Sequence, residues 1–385
     1  GGKKRRIRMK EIVLINRANR DFSGSPVSIE WNEEEGAFVL SAGREKIYGQ
    51  TEKRGDKVFL VFIPPDVKAG EEVKFSVKKA EDAPSIVKLS DNKKEGIVDV
   101  FINEQLFTSY NYSEKVVRPY LFPVVGPEGK VVLRTPASEG NPEKLDHIHH
   151  RGIWVAHGDV NGTDNWSELP GHGRTVHQMF IEIISGPVFG KIHALSNWVS
   201  NKGTKILEEE RIIVFYNLPR ESRIIDQRLI LRASEKEVVF KDTKESGLLS
   251  IRVNPVMEER AGGFMVNSYG AKGEAECWGK RAEWCDYCGE IEGTRCGIAV
   301  FDYPHNFRYP TWWHIRNYGL YTANFFGLSD FTGDKSISGT YILPYRNELK
   351  LYHRIYIHSG YTEEAKVADR YLNFIYPPEI AARQE

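Results

Sequence analysis

The chain has 385 residues with 53 basic and 53 acidic side chains, so its formal net charge at pH 7 is zero. This balance provides no electrostatic basis for a nucleic-acid partner. No apolar run approaches the roughly 20 residues of a membrane-spanning helix, which predicts a soluble protein without a membrane partner. A cytoplasmic location is favoured, and a removed signal peptide stays an open alternative because the sequence begins Gly1-Gly2 without Met.

The first part of the chain predicts a small β-sandwich domain over residues 1–95. Its apolar segments are short, β-branched or aromatic, and separated by charged turns; they fall at 27–31, 37–40, 58–63 and 73–77. The polar run 90–96 is the predicted linker to a second domain over residues 96–385.

Strand patterns become longer and denser in the second domain, at 98–102, 131–133, 211–216, 223–231, 236–241, 248–253, 297–301 and 349–357. So many strands in one unit predict an all-β sandwich of two large antiparallel sheets, one of which can present a concave binding face. A short helix is predicted near the end, with Thr362 as its cap and Pro377-Pro378 as its stop.

The most informative segment is Asp146-His147-Ile148-His149-His150-Arg151-Gly152. Four of the eleven histidines lie between positions 147 and 157. If the segment is a strand, His147 and His149 share one face. Such a pair can hold a divalent metal, or can bind a sugar hydroxyl while a second imidazole transfers a proton. Arg151 adds a planar donor suited to a carboxylate or vicinal hydroxyls. The alternative is that the imidazoles satisfy each other and the turn backbone.

The following segment adds His157, Asp159 and Trp166 around the turn signal Asn161-Gly162. A carboxylate beside an aromatic plane is a combination that binds sugars. Ordinary turn chemistry is the competing interpretation of Asp159.

Two further regions offer candidate residues. Glu245 follows one predicted strand and precedes the next, so it can project into a cleft as a general base; a solvated turn paired with Lys244 is the alternative. Residues 302–319 contain six aromatic side chains and two prolines, which predicts a recognition loop. Its candidates are His305, Trp313, His314 and Arg316, unless the loop folds its own rings inward.

Four cysteines lie at positions 277, 285, 288 and 296. Glu292-Gly293 predicts a hairpin turn, which places Cys288 and Cys296 in neighbouring strands. We therefore favour thiols within paired strands over a zinc site or a disulfide, because Cys285 and Cys288 would face opposite sides of their strand.

The segments 118–120, 146–162, 278–287 and 313–320 resemble an uncharacterised bacterial family often labelled "methane oxygenase PmoA". The resemblance covers roughly residues 97 to 376. It implies a galactose mutarotase-like β-supersandwich, a fold shared by sugar epimerases, lyases and several glycosidases. His150-Arg151-Gly152 is loosely similar to a sugar-contacting His-Gly element of those epimerases. The labelled oxygenase activity is not expected, because it requires membrane-spanning helices.

The sequence therefore predicts a carbohydrate-active protein that cleaves a glycosidic bond by acid–base chemistry, through hydrolysis or elimination. A His is the expected acid, and Glu245 or a second His the expected base. The candidate catalytic residues are His149, His150, Glu245 and His314, and the candidate substrate-binding residues are His147, Arg151, His157, Asp159, Trp166, His305, Trp313 and Arg316. No cofactor is expected. The alternatives are a sugar epimerase, a metalloenzyme using His147 and His149, and a non-catalytic glycan-binding protein.

Overall fold

The computed structural model describes residues 10–137 and 146–384. Three antiparallel sheets contain nearly all of the regular structure, which confirms the all-β prediction. Among the described residues, no helix is long and apolar enough to cross a membrane.

The first sheet contains six strands from the start of the chain and one from its end. In spatial order it runs β2-β5-β4-β3-β6-β1-β26. Its edge strands β2 and β26 approach each other, so the sheet curls around its own apolar core. Its strands are β1 (Lys10–Ile15), β2 (Val27–Glu30), β3 (Ala37–Ala42), β4 (Glu45–Arg54), β5 (Lys57–Phe62), β6 (Glu72–Lys79) and β26 (Glu379–Gln384).

The second sheet contains eleven strands. They are β7 (Val87–Asn92), β8 (Ile97–Ile102), β9 (Gln105–Asn111), β10 (Tyr120–Val124), β11 (Ile153–Val160), β12 (Thr163–Asn165), β17 (Val238–Phe240), β18 (Ser246–Arg252), β22 (Trp312–Ile315), β23 (Leu320–Asn324) and β24 (Tyr341–Leu343). The predicted linker 90–96 lies in the β7–β8 hairpin of this sheet, because β7 pairs with β8 from Val87 to Asn92. The division of the chain into two domains stays a prediction.

The third sheet contains eight strands, in the order β13-β14-β15-β16-β25-β21-β20-β19. They are β13 (Arg174–Ile184), β14 (Phe189–Val199), β15 (Lys205–Tyr216), β16 (Ser222–Arg232), β19 (Phe264–Asn267), β20 (Trp284–Ile291), β21 (Thr294–Asp302) and β25 (Glu348–Ser359). The helices are short: α1 (Gly273–Cys277), α2 (Leu328–Thr332) and α3 (Val367–Ile375).

The predicted C-terminal helix corresponds to α3, which ends before Pro377 as expected. It begins later than predicted, since its cap is Lys366 in a left-handed conformation. Thr362 instead donates a hydrogen bond to the Asp286 carboxylate at 2.7 Å.

The main core lies between the second and third sheets, and side-chain alternation along β11 separates it from the opposite face. Ile153 and Val155 point into this core. Trp154 and Ala156 point the other way, where they pack with Trp166. This outer face of the second sheet carries the candidate site.

A buried ion pair stabilises the outer face of the third sheet. The Asp226 carboxylate is fully buried and accepts two hydrogen bonds from Arg354, at 2.7 and 2.9 Å. The hydroxyls of Tyr216 and Tyr352 also donate to it. Arg354 donates in turn to the Ser25 hydroxyl at 2.8 Å, which ties the third sheet to the segment before β2.

We expect Asp226→Asn to lower the free energy of unfolding by about 3–5 kcal/mol, because it leaves the Arg354 charge buried without a counter-ion. Urea unfolding followed by tryptophan fluorescence measures this change. The control is Asp82→Asn, an exposed carboxylate, for which a change within about 0.5 kcal/mol is expected. Equal, small effects of both substitutions would contradict the assignment.

Candidate functional site

The histidine-rich segment forms a turn, so the strand geometry predicted for it is wrong. His147 adopts a positive φ of 46°, and the His150 amide donates to the His147 carbonyl at 3.0 Å. Arg134 donates to the backbone carbonyls of Asp146 (2.9 Å) and His147 (2.8 Å), which fixes the turn. Gly152 follows with φ 59°, and a Cβ there would lie 2.0 Å from the carbonyl oxygen of Leu121. This position therefore requires glycine.

Four rings form a continuous column across the outer face. The His147 ring stacks on Tyr318 at 5.2 Å and on His150 at 4.8 Å, with interplanar angles of 2° and 3°. His150 stacks in turn on Trp154 at 5.3 Å. We call Tyr318, His147, His150 and Trp154 the ring column. It joins elements that are far apart in sequence, and it presents ring edges along its side because the ring faces are stacked on one another.

The hydrogen bonds of His150 define its protonation state. Arg252 Nη1 lies 2.9 Å from His150 Nδ1. Because a guanidinium can only donate, Nδ1 must accept and Nε2 must carry the proton. Burial holds the pKa of His150 well below its ordinary value, and the neighbouring charges of His149 and Arg252 add to this effect. His150 is therefore a neutral N–H donor.

His149 lies beside the ring column and is half-buried. Its ring meets His150 edge-on at 4.5 Å and Trp166 at 5.9 Å. Burial, with the positive charge of Arg118, lowers the pKa of His149 to about 4. No hydrogen bond from the described residues engages either ring nitrogen, so a neutral imidazole is free to accept a proton.

Glu245 approaches from the loop before β18. Its amide donates to the Thr243 hydroxyl at 3.1 Å, and its carbonyl accepts from the Gly158 amide at 2.8 Å. A Cβ on Gly158 would lie 2.8 Å from that carbonyl oxygen, so this glycine permits the close approach. Burial raises the pKa of the Glu245 carboxyl, while Lys244 and His147 oppose the shift. No described residue donates a hydrogen bond to this carboxylate.

These groups line one cleft of about 380 Å³ on the outer face of the second sheet. Of the predicted site residues, the structure brings together His147, His149, His150, Trp166 and Glu245. The full lining is His147, His149, His150, Gly158, Asp164, Trp166, Ser167, Leu169, Thr243, Glu245 and Tyr318.

The other carboxylates near the cleft are engaged. Asp164 accepts hydrogen bonds from the amides of Trp166 (2.8 Å) and Ser167 (3.0 Å), and from the Ser167 hydroxyl. Glu168 accepts two hydrogen bonds from Arg151, at 2.7 and 2.9 Å. Arg151 was predicted to bind substrate, but its guanidinium is committed to Glu168 and does not line the cleft. Glu245 is therefore the uncommitted carboxylate of the lining.

Two predicted substrate-binding residues lie outside the cleft. His157 is fully buried; Nδ1 accepts from the Ser246 hydroxyl at 2.7 Å and Nε2 donates to the Lys241 carbonyl at 3.0 Å. Both ring nitrogens are thus satisfied internally. Asp159 accepts from the Gly162 amide at 3.0 Å, which is the turn chemistry that competed with a binding role.

The aromatic segment 302–319 also differs from the prediction. Trp313 is fully buried in the main core, and its indole donates to the Ala282 carbonyl at 2.9 Å. His314 is buried and accepts from the Trp278 indole at 2.8 Å, so it does not line the cleft. His305 is exposed beside Tyr303.

Arg316 lies at the margin of the site. It pairs with Glu274 at 3.2 Å, and its guanidinium lies 5.8 Å from the ring centroid of Tyr318. It therefore contacts the ring column without lining the cleft.

Sequence reasoning did not single out Arg134, Arg252 and Tyr318 as site residues. Arg252 is the last residue of β18, and its alternation with the core residue Ile251 could have placed it on the site face. Tyr318 lay within the aromatic segment but had no feature that distinguished it from its neighbours. No feature of the neighbouring sequence marks Arg134 as a site residue.

The four cysteines are buried free thiols. As predicted, β20 and β21 form a hairpin that contains Cys285, Cys288 and Cys296. Cys277 lies in α1.

Within residues 10–137 and 146–384, Asp286, Cys288 and His358 form the group that could hold a metal ion. Asp286 accepts from His358 Nε2 at 3.0 Å, from Cys288 at 3.1 Å and from Thr362. A metal on Nε2 would require Nδ1–H to donate, but Nδ1 is buried without a partner. The group thus fits an internal hydrogen-bond network better than a metal site. The alternative metal pair His147 and His149 stays untested; their rings lie 5.8 Å apart.

A larger cavity of about 970 Å³ lies between the first and third sheets. Its charged groups pair with one another: Glu52 with Arg54 and Arg228, and Glu210 with Arg232. Because every carboxylate that lines this cavity is paired with a basic side chain, we place the candidate site in the smaller cleft, where Glu245 has no such partner among the described residues.

Fold and site define an all-β protein with an imidazole- and carboxylate-bearing cleft on the outer face of a large sandwich. The chain belongs to DUF6807, a family of unknown function, whose model matches residues 97–372. No curated protein matches. Among solved structures it is similar to a glycosyl hydrolase family 38 protein from Enterococcus faecalis, with a TM-score of 0.39 and 8% identity. The match covers 98% of this chain and 48% of that one, so the chain spans about half of its length.

Proposed function

We propose that the protein carries out acid–base chemistry on a sugar or glycoside bound in the cleft. The observation that supports this most is that His149 and Glu245 line the same cleft, while neither side chain has a hydrogen-bond partner there among the described residues. The neighbouring side chains of Asp164, Glu168 and Arg151 are engaged with the protein itself. Uncommitted acid and base groups in a concave site are typical of catalysis.

The pKa directions favour roles opposite to those expected from the sequence. The lowered pKa of His149 keeps its imidazole neutral near pH 7, ready to accept a proton. Burial raises the pKa of Glu245, which shifts the balance of this carboxyl toward the form that can donate a proton. In this assignment Glu245 protonates the leaving oxygen, and His149 takes a proton from water in hydrolysis or from a carbon in elimination.

The ring column supports a sugar as ligand. The ring edges of Tyr318 and His147 line the cleft beside the polar groups, so the lining offers apolar C–H contacts together with hydrogen-bonding groups, as a sugar ring requires. Cleavage of a glycosidic bond and epimerisation both use such an acid–base pair, and we favour cleavage.

A comparison of two histidine variants tests the proposal. Wild-type protein is assayed for turnover and thermal shift with p-nitrophenyl glycosides and oligosaccharides. We expect His149→Gln to reduce turnover at least about 100-fold while the ligand-induced thermal shift persists. His305→Gln is the matched control, because His305 is exposed outside the cleft. Ligand binding without turnover of any compound would contradict catalysis and favour a glycan-binding protein.

A further inference from the structure

The cleft contains buried hydrogen-bond donors without acceptors. His150 Nε2 must carry its proton, for the reason given above, and it has no partner. The indole N–H of Trp166 also has no partner. Both residues line the cleft, and they are only 1% and 3% exposed. Neither group can accept a hydrogen bond in this state, so the site needs acceptor atoms from elsewhere.

The buried guanidinium of Arg118 places a positive charge near these donors. Arg118 is 1% exposed, and its contacts are the neutral oxygens of Asn165 (3.4 Å) and Ser167 (3.2 Å) on either side of Trp166. Its Nε and Nη1 have no partner. Two carboxylates lie in the field of Arg118: Glu168 is engaged by Arg151, and Asp164 accepts hydrogen bonds from the Trp166 and Ser167 amides. Neither forms a direct ion pair with Arg118 among the described residues.

The energetics favour an anionic acceptor over a neutral one. Each buried N–H without an acceptor destabilises the empty site, and the N–H groups of a charged guanidinium do so more than neutral ones. A sugar hydroxyl can accept from one donor, whereas the two neutral donors and the free N–H groups of Arg118 call for several acceptor atoms. An anionic group offers several lone pairs and a counter-charge together.

We infer that the cleft binds an acidic sugar, whose carboxylate or sulfate group accepts hydrogen bonds from His150 and Trp166 in the field of Arg118. This inference rests on the proposed function for the location of the ligand, and it names the ligand's class. A uronic acid and a sulfated sugar share the required chemistry.

Binding measurements at constant ionic strength test this inference. The probes are methyl glucuronide, methyl galacturonide, glucose 6-sulfate, the neutral methyl glucoside and galactoside, and acetate and sulfate as simple anions. We expect at least one acidic sugar to bind about tenfold or more tightly than its neutral counterpart, which corresponds to about 1.4 kcal/mol. Comparing the affinities of the two uronides with that of glucose 6-sulfate identifies which anionic group the site prefers.

Two variants test which residues cause the preference for acidic sugars. Trp166→Phe keeps an aromatic ring and removes the N–H, and it should weaken the acidic sugar about tenfold and the neutral sugar by a smaller factor. Arg118→Met should abolish the preference. The matched control for Arg118 is Arg223→Met, another buried arginine whose Nε and Nη1 lack partners, which packs on Phe107 instead. The control for Trp166 is Trp312→Phe, because Trp312 does not line the cleft.

The outcomes separate this inference from the proposed function. Neutral sugars that bind and turn over as well as acidic ones would overturn the acidic class and leave the proposed function intact. A preference that survives Trp166→Phe, or equal binding of acetate and acidic sugars, would also overturn it. Acidic sugars that bind without turnover would support the inference and contradict the proposed catalysis. Absence of binding by every sugar would overturn both.

Discussion

Glu245→Gln is expected to reduce turnover of a sugar substrate by about 10²- to 10⁴-fold, the range typical of a lost general acid or base. The amide keeps the size of the side chain but cannot transfer a proton. Since no described residue hydrogen-bonds to this carboxylate, the substitution breaks no internal contact that we observe. We therefore expect the melting temperature and the ligand Kd to change little. Steady-state kinetics and calorimetric titration measure the two quantities separately.

Asp159→Asn is the matched control for this prediction. Asp159 also lies near a strand end, but its carboxylate accepts from the Gly162 amide outside the cleft. We expect its turnover to stay within about twofold of wild type. Similar activities of the two variants would remove Glu245 from the proposed chemistry. If Glu245→Gln lowers the melting temperature as well as the turnover, Glu245 has a structural role.

Acid is expected to destabilise the fold steeply between about pH 6.5 and pH 4. Burial lowers the pKa of His157 to about 4 and that of His314 to about 3, from an ordinary value of 6.5. Burial also lowers the pKa of His150 well below that value. The unfolded chain therefore takes up protons in this range before the folded protein does, so stability falls as pH falls. Each histidine contributes up to about 1.4 kcal/mol per pH unit, and the three together about 4.

Urea unfolding at half-unit steps from pH 8 to pH 4.5 measures this dependence. The slope should be near zero above pH 7.5 and steepest near pH 5. His157→Gln should reduce the slope by about 1.4 kcal/mol per pH unit, whereas His305→Gln should leave it unchanged, because His305 is exposed. A flat stability profile from pH 7 to pH 5 would show that these imidazoles are not held neutral in the fold.

Local patterns predicted the strands well, because side-chain alternation is a property of neighbouring residues. The predicted strands at 223–231 and 349–357 correspond to β16 (Ser222–Arg232) and β25 (Glu348–Ser359). Local patterns do not show which strands pair with each other. The pairing of β1 with β26 joins residues more than 360 positions apart, and neither segment carries a signal for the other.

For the candidate site too, local features could be predicted from the sequence and long-range contacts could not. Local composition was enough to select His147, His149 and His150, and a carboxylate between two strands was enough to select Glu245. Burial could not be predicted, because it depends on which strands pack together. His157 was a reasonable candidate until the register of β11 placed it opposite Ser246, which satisfies its ring. The role of Arg252 could not be predicted either, since it depends on contact with a residue 102 positions away.

The position of β26 constrains how the protein can be made. During synthesis the first six strands leave the ribosome long before residues 379–384 are made. Until then, the edge of β1 that pairs with β26 in the finished sheet has no partner strand. An unpaired strand edge exposes backbone N–H and C=O groups that can pair with another chain, so the early sheet is exposed to aggregation until β26 joins it. β26 can close that edge only after residues 379–384 have been synthesised and have left the ribosome.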